Sequence, residues 1–248
     1  MLEPYADHAH STGLLVINGS VIKDLAHSWS QAGFQVNIHA IGDRANRYVI
    51  DAFEAAYPKL CPNMSPRECQ QQRRFRIEHA QIIHPEDQDR MFAMGIIPSI
   101  QPTHATSDMS FAETRLGPDR TAHEAYRMNS FLPLHPVLGS DFPIEPPNPL
   151  HGMYAAVTRR SPRTGKGKHG SDEGWYLEEA LNMSMALEGF TKSTAWGAFL
   201  EDKAGVIQEG AWADWVVLDG PFDEMQPENL LKARVRQTWV GGKLVYKR

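Results

Sequence analysis

The stretch FQVNIHAIGDRANRYVIDAFEAAY (34–57) decides the fold of this chain. Its first six residues, FQVNIH (34–39), read as a short β-type run. Gly42-Asp43 follows, with Asp43 placed to cap a helix over 44–57. Ala45, Tyr48, Val49, Ala52, Phe53 and Ala56 recur at helical spacing and fall on one stripe. A strand leading straight into an amphipathic helix is half of a βα unit, and the pattern repeats along the chain. A polar loop with Pro58, Pro62 and Pro66 leads to FRIEH (75–79), a second strand. His84-Pro85-Glu86 opens a helix that runs to about Met94, with Pro85 suited to its first turn, and Gly95 ends it. IIPSIQP (96–102) is a third strand, and a helical piece over 121–128 precedes a fourth, PVLGSD (136–141). Upstream, Val21, Ile22, Leu25, Ala26 and Trp29 mark a helix over 20–33. This alternation is the signature of parallel βα units, so the fold class is α/β.

After Asp141 the texture changes. EPPNPLHGMYAAV reads as a loop and short helix, SPRTGKGKHGSDEG (161–174) as a surface loop, and two helical patterns cover 177–187 and 191–200. A β-run over 212–218 follows, and RQTWVGGKLVYKR closes the chain as a hairpin across Gly241-Gly242. The domain division expected is therefore 1–200 for the βα array and 201–248 for a small β element.

Composition narrows the functional classes. With 248 residues, 42% hydrophobic and six Trp, the chain has material for a substantial core. A net charge of −5 with both signs interspersed gives no field for nucleic acid or an anionic membrane. No apolar run approaches the roughly 20 residues of a membrane span. The amino terminus, MLEPYADHAH, lacks the basic and apolar regions of a secretory signal. Cys61 and Cys69, the two cysteines, make no disulfide framework and read as ordinary thiols. A soluble, cytoplasmic protein is the expectation.

Eleven histidines are many for this length, and three positions in the strand scheme matter. His39 ends FQVNIH, His79 ends FRIEH and Asp141 ends PVLGSD. In parallel βα architectures the carboxyl ends of strands carry the active site, because the loops there converge. Two imidazoles and a carboxylate on that face form a first shell for zinc or a similar divalent ion. Such an ion lowers the pKa of bound water to about 7, and a nearby carboxylate can serve as base. A lone strand-end histidine is more often a plain hydrogen-bonding residue. The coincidence of three equivalent positions favours the site. His104, just after the third strand, lies on the same face and is a candidate substrate contact. Arg120 is another, for a carbonyl or carboxylate. His8, His10, His27, His84 and His123 read as surface or capping residues. Asp43 reads as a cap, and Glu78 as a strand residue pointing away from His79.

VNIHAIGDRANRYVIDAFE, RFRIEHAQIIHPED, SIQPTHATSD and LGSDFPIEPPNPLHGMYAAVTR resemble, in order and spacing, the C-terminal half of amidohydrolase family 3 proteins. The closing TKSTAWGAFLEDKAGVIQEGAWADWVVLDGPF and VRQTWVGGKLVY extend the likeness from about Leu14 to the end. The resemblance implies a (β/α)8 barrel of TIM type with a small β-sandwich built from both chain ends. It implies metal-dependent hydrolysis of amide-type C–N bonds in small molecules. His39, His79 and Asp141 then match the histidines of the fifth and sixth strands and the aspartate of the eighth, which is both ligand and proton acceptor. The family's first-strand H-x-H and its fourth-strand bridging carboxylate have no counterpart in this sequence. The expectation is thus the second half of a barrel: weak in metal, doubtful in activity, and prone to self-association through open barrel edges. The alternative is a non-catalytic remnant or interaction module.

Overall fold

The structure, a computed structural model, describes residues 1–248. In chain order it begins with α1 (Gly19–Gln31), β1 (Asn37–Ala40), α2 (Asp43–Leu60), α3 (Pro66–Arg73), β2 (Arg76–His79), α4 (Pro85–Met94) and β3 (Ile97–Ile100). There follow α5 (Pro102–Asp108), α6 (Ala112–Leu116), α7 (Pro118–Glu124), β4 (Val137–Leu138), α8 (Pro149–Thr158), α9 (Met183–Phe190) and α10 (Lys192–Gly197). The chain closes on β5 (Trp215–Leu218), β6 (Val235–Val240) and β7 (Lys243–Lys247). Two compact units result: Met1–Ile100 with Asp108–Pro136, and Gln101–Ser107 with Val137–Arg248. The expected change of character after residue 200 falls inside the second unit, where the antiparallel strands begin.

In the first unit β1, β2 and β3 pair in parallel, in chain order, as βα units require. The apolar stripe of α2 supplies much of the core. Phe53 and Tyr57 stack on Phe75, with centroids 4.6 and 5.5 Å apart. Burying each such side chain contributes about 1.5–3 kcal/mol. The Tyr57 hydroxyl donates to Gln70 Oε1 at 2.9 Å, and Gln70 exchanges hydrogen bonds with both main-chain groups of Phe75. One amide thereby ties α2, α3 and the start of β2 together, and burial pushes the Tyr57 phenol above its ordinary range. α4 starts at a His84 cap whose ring accepts from the Glu86 amide and stops at left-handed Gly95, as its residues dictate.

Four local readings change. Gly42, not Asp43, is the N-cap of α2; Asp43 is its first residue, and its carboxylate accepts from the Leu2 and Arg44 amides. The loop expected around Pro66 contains α3, whose Ser65 and Glu68 form a reciprocal capping box. Because α3 folds back, Cys69 comes within 5.8 Å (Cα–Cα) of Cys61, and the expected thiols are a buried disulfide. A half-barrel would leave some strand residues facing a vacated interior, yet Val36, Phe75, Ile77, Ile96, Ile97, Ile100, Val137 and Leu138 are buried and Ile38 is half-buried. The exposed apolar side chains lie elsewhere, on the 14–17 segment and α1: Leu14, Val16, Ile17, Val21, Leu25 and Trp29. All of these but Val21, with the outer side of β1, line an apolar groove of about 630 Å³.

In the second unit α8 is almost wholly buried, and the Arg159 that follows it donates Nε–H to the Trp175 carbonyl at 2.8 Å. β5, β6 and β7 form an antiparallel sheet. Its β6–β7 hairpin turns at Gly241-Gly242, both at positive φ, as the sequence predicts. Trp215, Val216, Val240 and Val245 remain exposed, and a cleft of about 950 Å³ separates this sheet from α9 and α10.

Two measurements check this account. The Cys61–Cys69 bond closes a short loop, and Cys61→Ser with Cys69→Ser is expected to lower unfolding free energy by about 2–3 kcal/mol in urea titrations. Thiol titration of the native, unreduced protein is expected to find none free. Glu124 is 7% exposed and its Oε2 meets no hydrogen-bond donor. Burial, then the Asp43 carboxylate, raises its carboxyl above the ordinary range. A raised folded value means that ionisation opposes folding as pH climbs. Glu124→Gln is therefore expected to raise Tm at pH 7, with the gain fading as pH falls through the carboxylate range.

Candidate metal centre

The first unit's contribution is a pair of histidines held by an asparagine. β1 and β2 run side by side, and beyond them the Ile82 amide donates to the Ile41 carbonyl at 3.0 Å, so the two exit loops stay adjacent. Asn46, fully buried in the first turns of α2, directs its side-chain NH₂ at four carbonyls: Ala40 (3.3 Å), Ile41 (3.2 Å), Gly42 (3.1 Å) and Ile82 (3.0 Å). Two amide protons thus satisfy main-chain oxygens from both strand exits, groups that burial would otherwise leave costly.

His39 is the penultimate residue of β1 and sits opposite Glu78, while His79 sits opposite Ala40. Simple alternation would put His39 and His79 on opposite faces. The backbone breaks that alternation, for His79 has φ 74° and Ala80 φ 44°. Left-handed conformations are uncommon for residues with a Cβ and persist only where surroundings impose them. The outcome is that the two rings meet, with centroids 4.4 Å apart and planes at 72°. His39 is exposed, His79 is buried, and Glu78 turns to Arg76 Nε at 2.6 Å.

The second unit contributes another pair. β4 spans only Val137–Leu138, so Asp141 does not end a strand but lies in the turn beyond it, at φ 57°. The extended reading of 136–141 fails because Gly139 and Ser140 leave the pleat. His104 stands in the first turn of α5, and its Nε2 is 3.8 Å from Asp141 Oδ2. One turn on, Ser107 donates to Glu145 Oε1 at 2.5 Å.

Arg120, expected as a substrate contact, is engaged by the main chain of its own unit. It donates to the carbonyls of Leu116 (2.8 Å), Pro4 (2.7 Å) and Glu3 (3.4 Å), which fasten the amino-terminal segment to α7. His123 likewise faces the Asp119 carbonyl at 2.9 Å. Asn46, Ser107 and Glu145 were not singled out from the sequence. For Asn46 the spacing from the strand end was a usable signal; for the other two there was none.

Known proteins resemble this chain over nearly all of its length. The amidohydrolase family model matches residues 1–246, and the chain belongs to that family. It is 34% identical over 247 residues to Protein LONG AFTER FAR-RED 3 of Arabidopsis thaliana, covering 98% of this chain and 40% of that one. It is 30% identical to the Bacillus subtilis protein YtcJ, named as an amidohydrolase, covering 99% and 44%. An N-substituted formamide deformylase of Arthrobacter pascens is 27% identical, covering 92% and 40%. Among solved structures, a metal-dependent hydrolase from Pyrococcus horikoshii superposes with TM-score 0.75 at 25% identity, over 91% of this chain and 42% of that one. The chain therefore spans about two fifths of the length of these relatives. No helix is long and apolar enough to cross a membrane.

The asparagine lock can be tested. Asn46→Ala removes the side-chain donor that reaches the buried Ala40 and Ile82 carbonyls, and a buried polar group that loses its partner costs about 1–3 kcal/mol. A stability loss of about 2 kcal/mol or more is expected, together with faster amide exchange at Ile82. Unchanged exchange at Ile82 would refute the lock.

Proposed function

We propose that this chain is the C-terminal half of a (β/α)8 amidohydrolase barrel over 1–200, with 201–248 belonging to a small β-sandwich. Its parent reaction is hydrolysis of an amide-type C–N bond in a small molecule. The observation that carries the reading is the His39–His79 ring pair, 4.4 Å apart where adjacent parallel strands end, in a chain of the amidohydrolase family. That a relative is a formamide deformylase supports the C–N assignment.

The donor chemistry fits a divalent metal, zinc being the expected ion. The donors that each unit offers are the His39–His79 pair in the first and the His104–Asp141 pair in the second. This extends the ligand set of the sequence reading (His39, His79 and Asp141) by His104, which then acts as ligand rather than substrate contact alone. Imidazole and carboxylate are the ligands such an ion takes in hydrolases. Bound there, such an ion would lower the pKa of its water to about 7. Asp141 would act as proton acceptor and then as donor to the leaving nitrogen, its partly exposed carboxylate lying in a turn rather than a strand. His104, 3.8 Å away, orients that carboxylate. His79, buried, presents its imidazole from a left-handed backbone.

The ligands that the family places on earlier strands are not among these residues. The 248-residue chain alone is expected to hold zinc weakly and to hydrolyse N-formyl or N-acyl amines at little above background. Metal analysis after dialysis and an amidase assay, with Asp141→Asn beside them, give the answer. One tightly held zinc per chain, with turnover abolished by Asp141→Asn, would show that the site is complete within these residues.

The second reading, an interaction module without chemistry, draws on the exposed groove along β1. Unpaired strand edges beside apolar surface invite association. Sedimentation is expected to show concentration-dependent self-association that Leu14→Lys with Val16→Lys suppresses. A monodisperse monomer at all concentrations would remove this reading. The cytoplasmic placement expected from sequence requires the Cys61–Cys69 pair to survive a reducing compartment. The thiol state of protein extracted under alkylating conditions decides that point.

A further inference from the structure

Within the second unit, two ties join α5 to the turn after β4. His104 and Ser107 lie three residues apart on α5, a spacing that puts both on one side of a helix. Asp141 and Glu145 lie four apart in the turn. His104 meets Asp141 at 3.8 Å, and Ser107 donates to Glu145 at 2.5 Å. The outer tie is the firmer. Glu145 is 9% exposed, and Ser107 is its hydrogen-bond partner; the inner pair includes an exposed Asp141.

Asp141 also needs support. Its φ of 57° is a conformation that a residue with a Cβ keeps only when neighbouring contacts enforce it. Within the turn, the Ile144 amide closes back on the Asp141 carbonyl at 2.9 Å, but that bond fixes the turn's shape and not its placement on α5. The Ser107–Glu145 hydrogen bond at the far end of the turn supplies the placement.

We propose that Glu145, acting through Ser107, is a positioning residue that holds the Asp141 carboxylate against His104. The inference rests on the metal reading above, since its consequence is ligand placement. Glu145 touches neither substrate nor metal; its contribution is to keep the 141–145 turn seated on α5. Outer partners that orient ligands are commonly worth 10–100-fold in metal affinity.

The experiment is zinc titration of the full 248-residue chain by calorimetry. Ser107→Ala and Glu145→Gln are expected to weaken zinc binding by about 10–100-fold, and Ser107→Thr, which keeps the hydroxyl, to restore it. In an Asp141→Asn background, Ser107→Ala is expected to add no further loss, because the tie acts only through Asp141. A change of less than about twofold in Ser107→Ala, or an equal loss in the Asp141→Asn background, would overturn the proposal. If the unmodified chain binds no zinc, the metal reading fails by itself. The positioning role is then decided by amide exchange at Ile144, which Ser107→Ala must accelerate while α9 is left unchanged. Exchange at Ile144 that stays at its original rate overturns it.

Discussion

The side-chain amide of Asn46 is the joint on which the first unit's site depends. A strand can carry a histidine to its carboxyl end, but nothing in a strand fixes the loop that leaves it. Here one NH₂ group meets carbonyls from the exits of both β1 and β2, so two loops share a single rigid anchor at the start of α2. The backbone of His79 can then be held in a left-handed conformation, and its ring brought against His39. The anchor is buried and local, and the left-handed residues His79 and Ala80 stand three and two residues before the Ile82 carbonyl that it holds.

The order of the strands, and of α1, α2 and α4 between them, was plain in the sequence. The period of 3.6 in α2, the Pro85 and Gly95 boundaries of α4 and the Gly241-Gly242 turn are local signals, and each held to within a few residues. His39 and His79 were singled out by their places at strand ends, but the sequence does not show how their rings meet. Strict alternation would have separated them, and positive φ at a histidine has no signature in the sequence. Asp141 was placed at a strand end because PVLGSD looks extended, yet pairing lasts only two residues. Arg120 was read by its charge, whereas its donors are committed to main-chain carbonyls that lie over a hundred residues away in sequence. The helix α3 was missed although its Ser65-x-x-Glu68 box was in view, because three prolines nearby argued for a loop.

Apolar exposure follows the same logic. Ile77, Ile96, Ile97 and Ile100 are buried, so the open apolar surface is not on the central strands. It appears instead on the flank of β1 and on the small terminal sheet, where α1 and α9–α10 leave apolar side chains facing open clefts. Surface of this kind is where further protein, of whatever origin, gains most by covering it.

The disulfide between Cys61 and Cys69 bears on how the chain withstands proteases. The intervening residues 62–68 are all exposed and join two helices, the kind of connection that is nicked first. A cut there would not release either side, because the bond spans the cut. α2, with Asn46 and the anchored strand exits, would remain covalently joined to α3 and β2, and the break would go unnoticed until a reductant was added.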